Sequence, residues 1–307
     1  MTDIPFVPPL EGIDYGRVDH VAPNIRRVIA NNPSKYTYRG TGTYIVGERD
    51  VVVIDPGPAL DEHRDALAAA LKGCRVAAIL VTHCHADHSP LAAWLREESG
   101  APTVAFGPHG EVDPSADEDS DVKVEESIDL DFVPDVSVVD GDIAATIEGL
   151  RLRAVHTPGH TSNHMCFALD DGRALFTGDH VMGWSTTVVS PPDGDMRAYI
   201  DSLAKVAARH DSTLWPTHGN PVTDPQPFLT AYLGHRLERE EQVLLQVRLG
   251  TTTIDEIVKA LYTNVREELH KAAGRSVLAH LVKLVDDGEV VVEGGEAPTL
   301  RSTFRAV

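Results

Sequence analysis

Thr82-His83-Cys84-His85-Ala86-Asp87-His88 is the stretch that decides how this chain is read. His83, His85, Asp87 and His88 offer imidazole nitrogen or carboxylate oxygen within six residues. They follow the apolar run 76–81, Val-Ala-Ala-Ile-Leu-Val, which reads as a buried strand and is too short for a helix. The cluster therefore sits where a strand ends and a loop begins. Imidazole and carboxylate are what Zn²⁺ takes in catalytic rather than structural sites. The spacing suggests two ions. His83 and His85, two apart at a strand end, can face one, while Asp87 and His88 can turn toward a second.

One cluster does not fill two sites, and three later places supply partners. Thr157-Pro-Gly-His160-Thr161 puts a His after a Pro-Gly turn. Phe176-Thr-Gly-Asp179-His180 puts an Asp after a short apolar run, and Trp215-Pro-Thr-His218-Gly219 puts a His after another. Each lies near a strand end, where open α/β sheets carry their chemistry.

These residues resemble the metallo-β-lactamase superfamily, whose signature is H-x-H-x-D-H followed by a His, an Asp and a His. The resemblance spans roughly residues 20–225. It implies an α/β protein with the four-layer αβ/βα sandwich. It also implies that His83, His85 and His160 hold one metal, that Asp87, His88 and His218 hold a second, and that Asp179 bridges them. True β-lactamases of the family carry Cys or another residue at the bridging position, whereas Asp is typical of glyoxalase II-like and RNA-processing members. The segments Gly178-Asp-His-Val-Met-Gly-Trp-Ser-Thr-Thr-Val and Pro191-Pro-Asp-Gly-Asp-Met resemble the lactamase-beta-2-like group. That group has animal members described as single-stranded-RNA endoribonucleases and bacterial members that are hydrolases. Ser89-Pro90 departs from its pattern, in which Gly-Gly often follows the motif Ser.

Composition bounds the rest. A chain of 307 residues accommodates one large domain and a small one. No apolar stretch reaches membrane-spanning length. The first residues, Met-Thr-Asp-Ile-Pro-Phe, read as no secretory signal, and three cysteines are too few and too odd for a disulfide framework. The expectation is a cytoplasmic protein without a membrane partner, with homo-oligomers open. The net charge of −20 repels polyanions. Much of it is local: residues 111–135 hold many acids and a single Lys, and read as a solvated surface loop.

Along the chain, strand-like runs at 43–46 and 51–54 precede Asp55-Pro-Gly-Pro, and an Ala-rich helix is expected over 60–71. Ser89 as N-cap and Pro90 as first residue are expected to open a helix over 91–98, behind the metal loop. Strands are expected at 150–155, 165–169 and 174–176, and a helix capped by Asp195 runs to about 209. The character changes near Pro225-Gln-Pro227. Helices are expected over 228–248, 254–262 and 276–287, then a hairpin of 289–293 with 300–306. Helix, helix, helix, hairpin is a winged-helix pattern, so the expected domains are 1–225, catalytic, and 226–307, winged-helix-like. The tail has ten Lys+Arg and twelve Asp+Glu, a net of −2, against −18 for the rest. It lacks an overall basic footprint. Arg266, Lys271, Arg275 and Lys283 are its candidate local patch.

The chemistry expected is that of a dinuclear hydrolase. Two Zn²⁺ ions, with iron or manganese as alternatives, would hold a bridging hydroxide and polarise a carbonyl or phosphoryl oxygen. Asp87 can orient the hydroxide, and His164 and His180 are candidates to give a proton to the leaving group, or to pack behind the ligands. Cys84, between two ligands, points the other way by strand alternation and reads as buried. The segment 184–195 is expected to line the pocket. The favoured substrate is a small ester, thioester or lactone, with at most weak β-lactamase activity. Alternatives are a single-stranded-RNA endoribonuclease and, from another class, a non-catalytic metal-binding scaffold.

Overall fold

A strand that is apolar on both faces needs cover on both, and 51–54 and 76–81 are such strands. The computed structural model describes residues 2–110, 127–263 and 269–307. Its first sheet has seven strands in chain order: β1 (Val18–Ala22), β2 (Ile25–Ile29), β3 (Gly42–Val46), β4 (Asp50–Ile54), β5 (Arg75–Leu80), β6 (Thr103–Ala105) and β7 (Val136–Ser137). β1 to β4 are antiparallel; β4 to β7 are parallel. The second sheet contains β8 (Ile143–Ile147), β9 (Leu150–His156), β10 (Met165–Leu169), β11 (Leu175–Gly178) and β12 (Leu214–Pro216). β8 to β11 form an antiparallel meander, and β12 adds parallel to β11.

Side-chain alternation along β4 builds the layers. Val52 and Ile54 face the second sheet, where they join Tyr44, Leu80, Leu152, Phe167, Phe176 and Trp215 in the central core. Val51 and Val53 face outward onto α1 (Asp61–Ala70) and α2 (Leu91–Ser99), packing with Leu67, Leu91 and Leu95. On the far side, Val155, Ala168 and Leu175 pack against α3 (Met196–Ala207) and α4 (Pro225–Arg248) through Tyr199, Leu203, Phe228 and Tyr232. The order is helices, sheet, sheet, helices, as the expected αβ/βα sandwich requires.

α4 belongs to two cores. Phe228, Leu229 and Tyr232 pack on the sandwich, while Val243 and Val247 enter a separate cluster with α5 (Ile254–Leu261), α6 (His270–Asp286), β13 (Val290–Val292) and β14 (Phe304–Ala306). α5 opens with a full capping box, Thr253 with Glu256.

Three local expectations change. Ser89 does not cap α2; its Oγ donates to Asp129 Oδ2 at 2.6 Å, and Pro90 takes the cap position with helical dihedrals. α6 begins at His270 rather than 276, because Ala273 and Gly274 are buried and continue its packed face. The basic patch does not form among the described residues: Arg275 is buried, and Lys283 pairs with Glu240 at 2.7 Å and Asp287 at 2.9 Å. Arg266 and most of the acidic segment, 111–126, lie outside the described residues. Its remainder is not a free loop, since Ala86 N–H donates to Ser127 O at 2.6 Å and Asp129 N–H to Cys84 O at 2.8 Å.

His63 in α1 is buried against Thr43, and burial pushes its imidazole down to about 4 from an ordinary 6.5. Between those values the unfolded chain binds a proton that the native ring refuses. The stability from keeping His63 neutral is complete above pH 6.5 and is lost as pH falls toward 4, by up to about 1.4 kcal/mol per pH unit for a whole proton. Urea unfolding of chelator-treated protein at pH 7 and pH 5 measures this loss. His63→Gln is expected to flatten the slope, and an unchanged slope would show that His63 is not a source of it.

Candidate metal centre

Strand direction gathers the chemistry. β4 and β5 are parallel, and β9, β11 and β12 point one way because β10 runs against its neighbours. Asp55 follows β4, His83 to His88 follow β5, and His160, Asp179 and His218 follow β9, β11 and β12. All are buried.

Three groups of possible ligand atoms meet there: His83, His85 and His160; Asp87, His88 and His218; and, between them, His83, His88 and Asp179. His85 Nδ1 lies 2.9 Å from His83 Nε2 and 3.2 Å from His160 Nε2. Zinc–nitrogen bonds of about 2.0–2.1 Å in a tetrahedron give edges of about 3.3 Å, close to these separations. In the second group, Asp87 Oδ2 is 3.3 Å from His88 Nε2 and 3.2 Å from His218 Nε2. Asp179 stands between: its Oδ1 is 3.6 Å from His88 and 3.4 Å from His218, and its Oδ2 is 3.9 Å from His160. His88 Nε2 and Asp179 Oδ1 are buried with no hydrogen-bond partner. Such orphans are costly, and a cation between them satisfies both. The donor set fits divalent metal.

The rings are aimed from outside. His88 Nδ1 donates to Asp55 Oδ2 at 2.9 Å, His160 Nδ1 to Val188 O at 2.7 Å, and His218 Nδ1 to Gly40 O at 3.1 Å. His83 Nδ1 is 3.1 Å from Thr82 Oγ1. Asp55, which the sequence presented only as part of a turn, is the hub. Its carboxylate accepts from Thr82 N and Thr82 Oγ1, both at 2.8 Å, and from Thr217 Oγ1 at 3.2 Å. It holds a left-handed φ of 50°, unfavourable for any residue but glycine and stabilised here by these bonds. Gly178, before Asp179, has φ 51°, and a Cβ there would meet His164 Nε2 at 2.7 Å. Only glycine lets β11 turn into the centre at that approach.

Electrostatics separates the groups. Burial, reinforced by neighbouring rings, holds His83 well below its ordinary value and His85 down to about 3, so these nitrogens stay neutral. Burial acts on His88 and His218 too, but there the carboxylates win. Asp87 and Asp179 raise His88 well above its ordinary value, and Asp179 with Asp87 raises His218 to about 10. Burial pushes Asp87 and Asp179 upward, and the His88 and His218 rings overcome it, holding both carboxyls far below their usual range. A dication at the second group takes over the positive charge those rings otherwise supply.

The centre floors an open cleft. His85, Asp87, His160, Asp179 and His218 face it; Met182, Trp184, Ser185, Thr186 and Val188 form one wall, with Lys35 and Tyr36 opposite. Trp184 stacks on Tyr38 at 4.6 Å. The expected lining thus holds for 184–186 and 188 but not for 191–195, where Asp193 meets His109 at 3.3 Å and Asp195 caps α3. Lys35 and Tyr36 carry no motif that sequence reading could have used. Asp55 did, since it ends an apolar run as the other strand-end residues do.

His164 and His180 are both fully buried and outside the cleft lining. His164 Nδ1 is 2.9 Å from Thr157 Oγ1, and its Nε2 accepts from Asp179 N–H at 3.2 Å. His180 packs on Tyr199 at 5.0 Å, and burial pushes it down to about 3. This geometry gives neither ring a path to a leaving group; His164 instead fixes the backbone of Asp179. Cys84 is buried with Asn163 Nδ2 at 3.0 Å, and burial pushes its thiol up to about 11.

Comparison with known proteins adds family context. Residues 38–218 match the metallo-beta-lactamase superfamily, and 253–297 match the beta-lactamase associated winged helix domain. An atrochrysone carboxyl ACP thioesterase from Aspergillus chevalieri is 32% identical over 90% of this chain and 85% of its own length. A second thioesterase so named, from Paecilomyces divaricatus, is 30% identical over 89% and 83%. Among solved structures, a beta-lactamase domain protein from Burkholderia ambifaria superposes with TM-score 0.78 at 22% identity, covering 99% of this chain and 97% of its own.

Asp55→Asn would place an amide donor among groups that already donate to this position. Affinity for divalent cation is expected to fall about 10–100-fold, the usual cost of losing a partner behind a ligand. Chelator competition measures it, and wild-type affinity in the variant would remove Asp55 from the account.

Proposed function

The chain belongs to the metallo-beta-lactamase superfamily, and on that premise we propose that it is a metal-dependent thioesterase acting on a small or carrier-linked acyl thioester. The observation that carries this is the set of three-ligand groups, His83, His85 and His160 with Asp87, His88 and His218 and with Asp179 grouped with His83 and His88 between them, under a partly apolar cleft. We assign His83, His85 and His160 to one ion, Asp87, His88 and His218 to a second, and Asp179 to both, with Zn²⁺ as the favoured metal. Such a pair supplies, when bound, a water of lowered pKa and a Lewis acid for the thioester carbonyl.

The chain's own residues do the rest. Asp87, with its Oδ2 held by Thr41 Oγ1 at 3.0 Å, orients the attacking water. Met182, Trp184 and Val188 receive the acyl chain. Lys35, the only Lys or Arg among the described lining residues, faces an anionic group on the substrate. His164 and His180 hold ligands in place rather than transfer protons. We place the catalytic domain at 1–225 and the winged-helix domain at 226–307, with α4 serving both. At most weak β-lactamase activity is expected from this site.

Of the tail's candidate patch for RNA, Arg275 is buried and Lys283 is paired, while Lys271 is exposed. Among the described residues no helix is long and apolar enough to cross a membrane.

Zinc-loaded protein is expected to release thiol from a panel of short and aromatic acyl thioesters of coenzyme A and N-acetylcysteamine. Asp179→Asn is expected to lose about 100-fold or more in kcat, the upper end of what disturbing a metal's surroundings costs. No thiol release from the whole panel by metal-bearing protein would sink the proposal; cleavage of labelled single-stranded RNA by the same sample would replace it. Lys35→Ala is expected to raise KM several-fold for the coenzyme A esters, with kcat unchanged, as loss of uniform binding does. An equal effect on the uncharged N-acetylcysteamine esters would exclude charge recognition.

A further inference from the structure

We infer that Arg236, on the tail helix α4, is a positioning residue for His160 and Asp179, so that the C-terminal module completes the centre from behind. The inference rests on the ligand assignment proposed above. Its geometry runs through Thr187. Arg236 Nη2 donates to Thr187 O, and Tyr232 OH, also on α4, accepts from Thr187 N–H at 2.6 Å. Thr187 Oγ1 in turn donates to Asp179 O at 2.7 Å and lies 3.1 Å from His180 O. The next carbonyl, Val188 O, takes the proton of His160 Nδ1 at 2.7 Å. The segment 187–188 thus has its outer side fixed by α4 and its inner side joined to the bridging Asp, through the Thr187 hydroxyl, and to a ligand ring, through the Val188 carbonyl. A rotation of that segment moves both. Thr186 and Val188, on either side of Thr187, line the cleft, so the same rotation reshapes its wall.

Burial makes Arg236 unusual. It is 3% exposed and has no carboxylate partner among the described residues. Its guanidinium lies over the rings of Tyr199 at 5.0 Å and Tyr232 at 5.7 Å. A buried charge without a counter-ion is costly, and an apolar side chain would fill the space at less cost. What the guanidinium does that an apolar chain cannot is hold the Thr187 carbonyl. Tyr199 OH extends the same brace, donating to His180 O at 2.7 Å.

The full-length protein tests this with Arg236→Met, Arg236→Lys and, as a control, Arg239→Met. Arg239 is another buried arginine of α4, but it donates to Leu261 O and covers Tyr262 inside the winged helix. Zinc affinity by chelator competition and the electronic spectrum of the cobalt-loaded protein read the centre without any substrate. Arg236→Met is expected to bind zinc about tenfold more weakly, with an altered cobalt spectrum, and Arg236→Lys to recover most of both. Arg239→Met is expected to lower Tm while leaving affinity and spectrum unchanged. Wild-type affinity and spectrum in Arg236→Met, or an equal loss in Arg239→Met, would overturn the inference. Should Arg236→Met not fold, Thr187→Val removes only the hydroxyl and is expected to weaken zinc in the same way; no weakening would overturn it equally. Because these readouts need no turnover, a wild-type protein inactive on thioesters would defeat the proposed function and leave this test standing.

Discussion

Three carboxylates, Asp55, Asp87 and Asp179, are buried in one crevice, and their charge has to be met. Carboxylates removed from water keep their charge only where positive charge or donated hydrogen bonds replace the lost solvation. The rings of His88 and His218 supply one answer at Asp87 and Asp179, and the donors of Thr82, Thr217 and His88 supply another at Asp55. The rest of the fold follows from keeping these groups together. Strands β4, β5, β9, β11 and β12 end at the same place, and the turns after them carry glycine or a left-handed backbone where the approach is closest. The cores on either side of the two sheets hold those ends at fixed separations.

Much of this was legible because metal chemistry leaves dense, ordered marks. The cluster at 83–88 and the later His160, Asp179 and His218 are rare residue types at strand ends, readable without a structure. The winged-helix tail was likewise readable from helical spacing and a hairpin pattern, and the αβ/βα sandwich from the family resemblance that the ligand motif carries. What was missed had weaker marks. β6 and β7 have three and two residues and gain their strand character by pairing in series beyond β5, and β1, β2 and β8 mix polar with apolar residues. Ser89-Pro90 looked like a helix start, but Asp129 offers Ser89 a closer partner than the helix does. Arg275 and Lys283 looked like parts of a basic patch in one dimension, but in three Arg275 is buried and Lys283 is paired.

The tail illustrates how a boundary in sequence need not be one in packing. Composition changes near Pro225, yet Phe228, Leu229 and Tyr232 lie in the core of the sandwich and Val243 and Val247 in that of the winged helix. A helix shared in this way couples two cores, and its Arg236 and Tyr232 reach the carbonyl and the N–H of Thr187 in the loop that walls the cleft.

By itself the sequence determined the family and its winged-helix tail and named the candidate ligands, because each depends on residue type and order along the chain. Tertiary structure alone decided which nitrogen of each ring faces inward, that Asp55 is the hub behind His88, that Lys35 and Tyr36 line the cleft, and that His164 and His180 are buried outside its lining. The reason is physical. Residue type fixes what an atom can bind, but ring orientation, burial and access are set by partners far away in the chain, brought near only when the sheets pack.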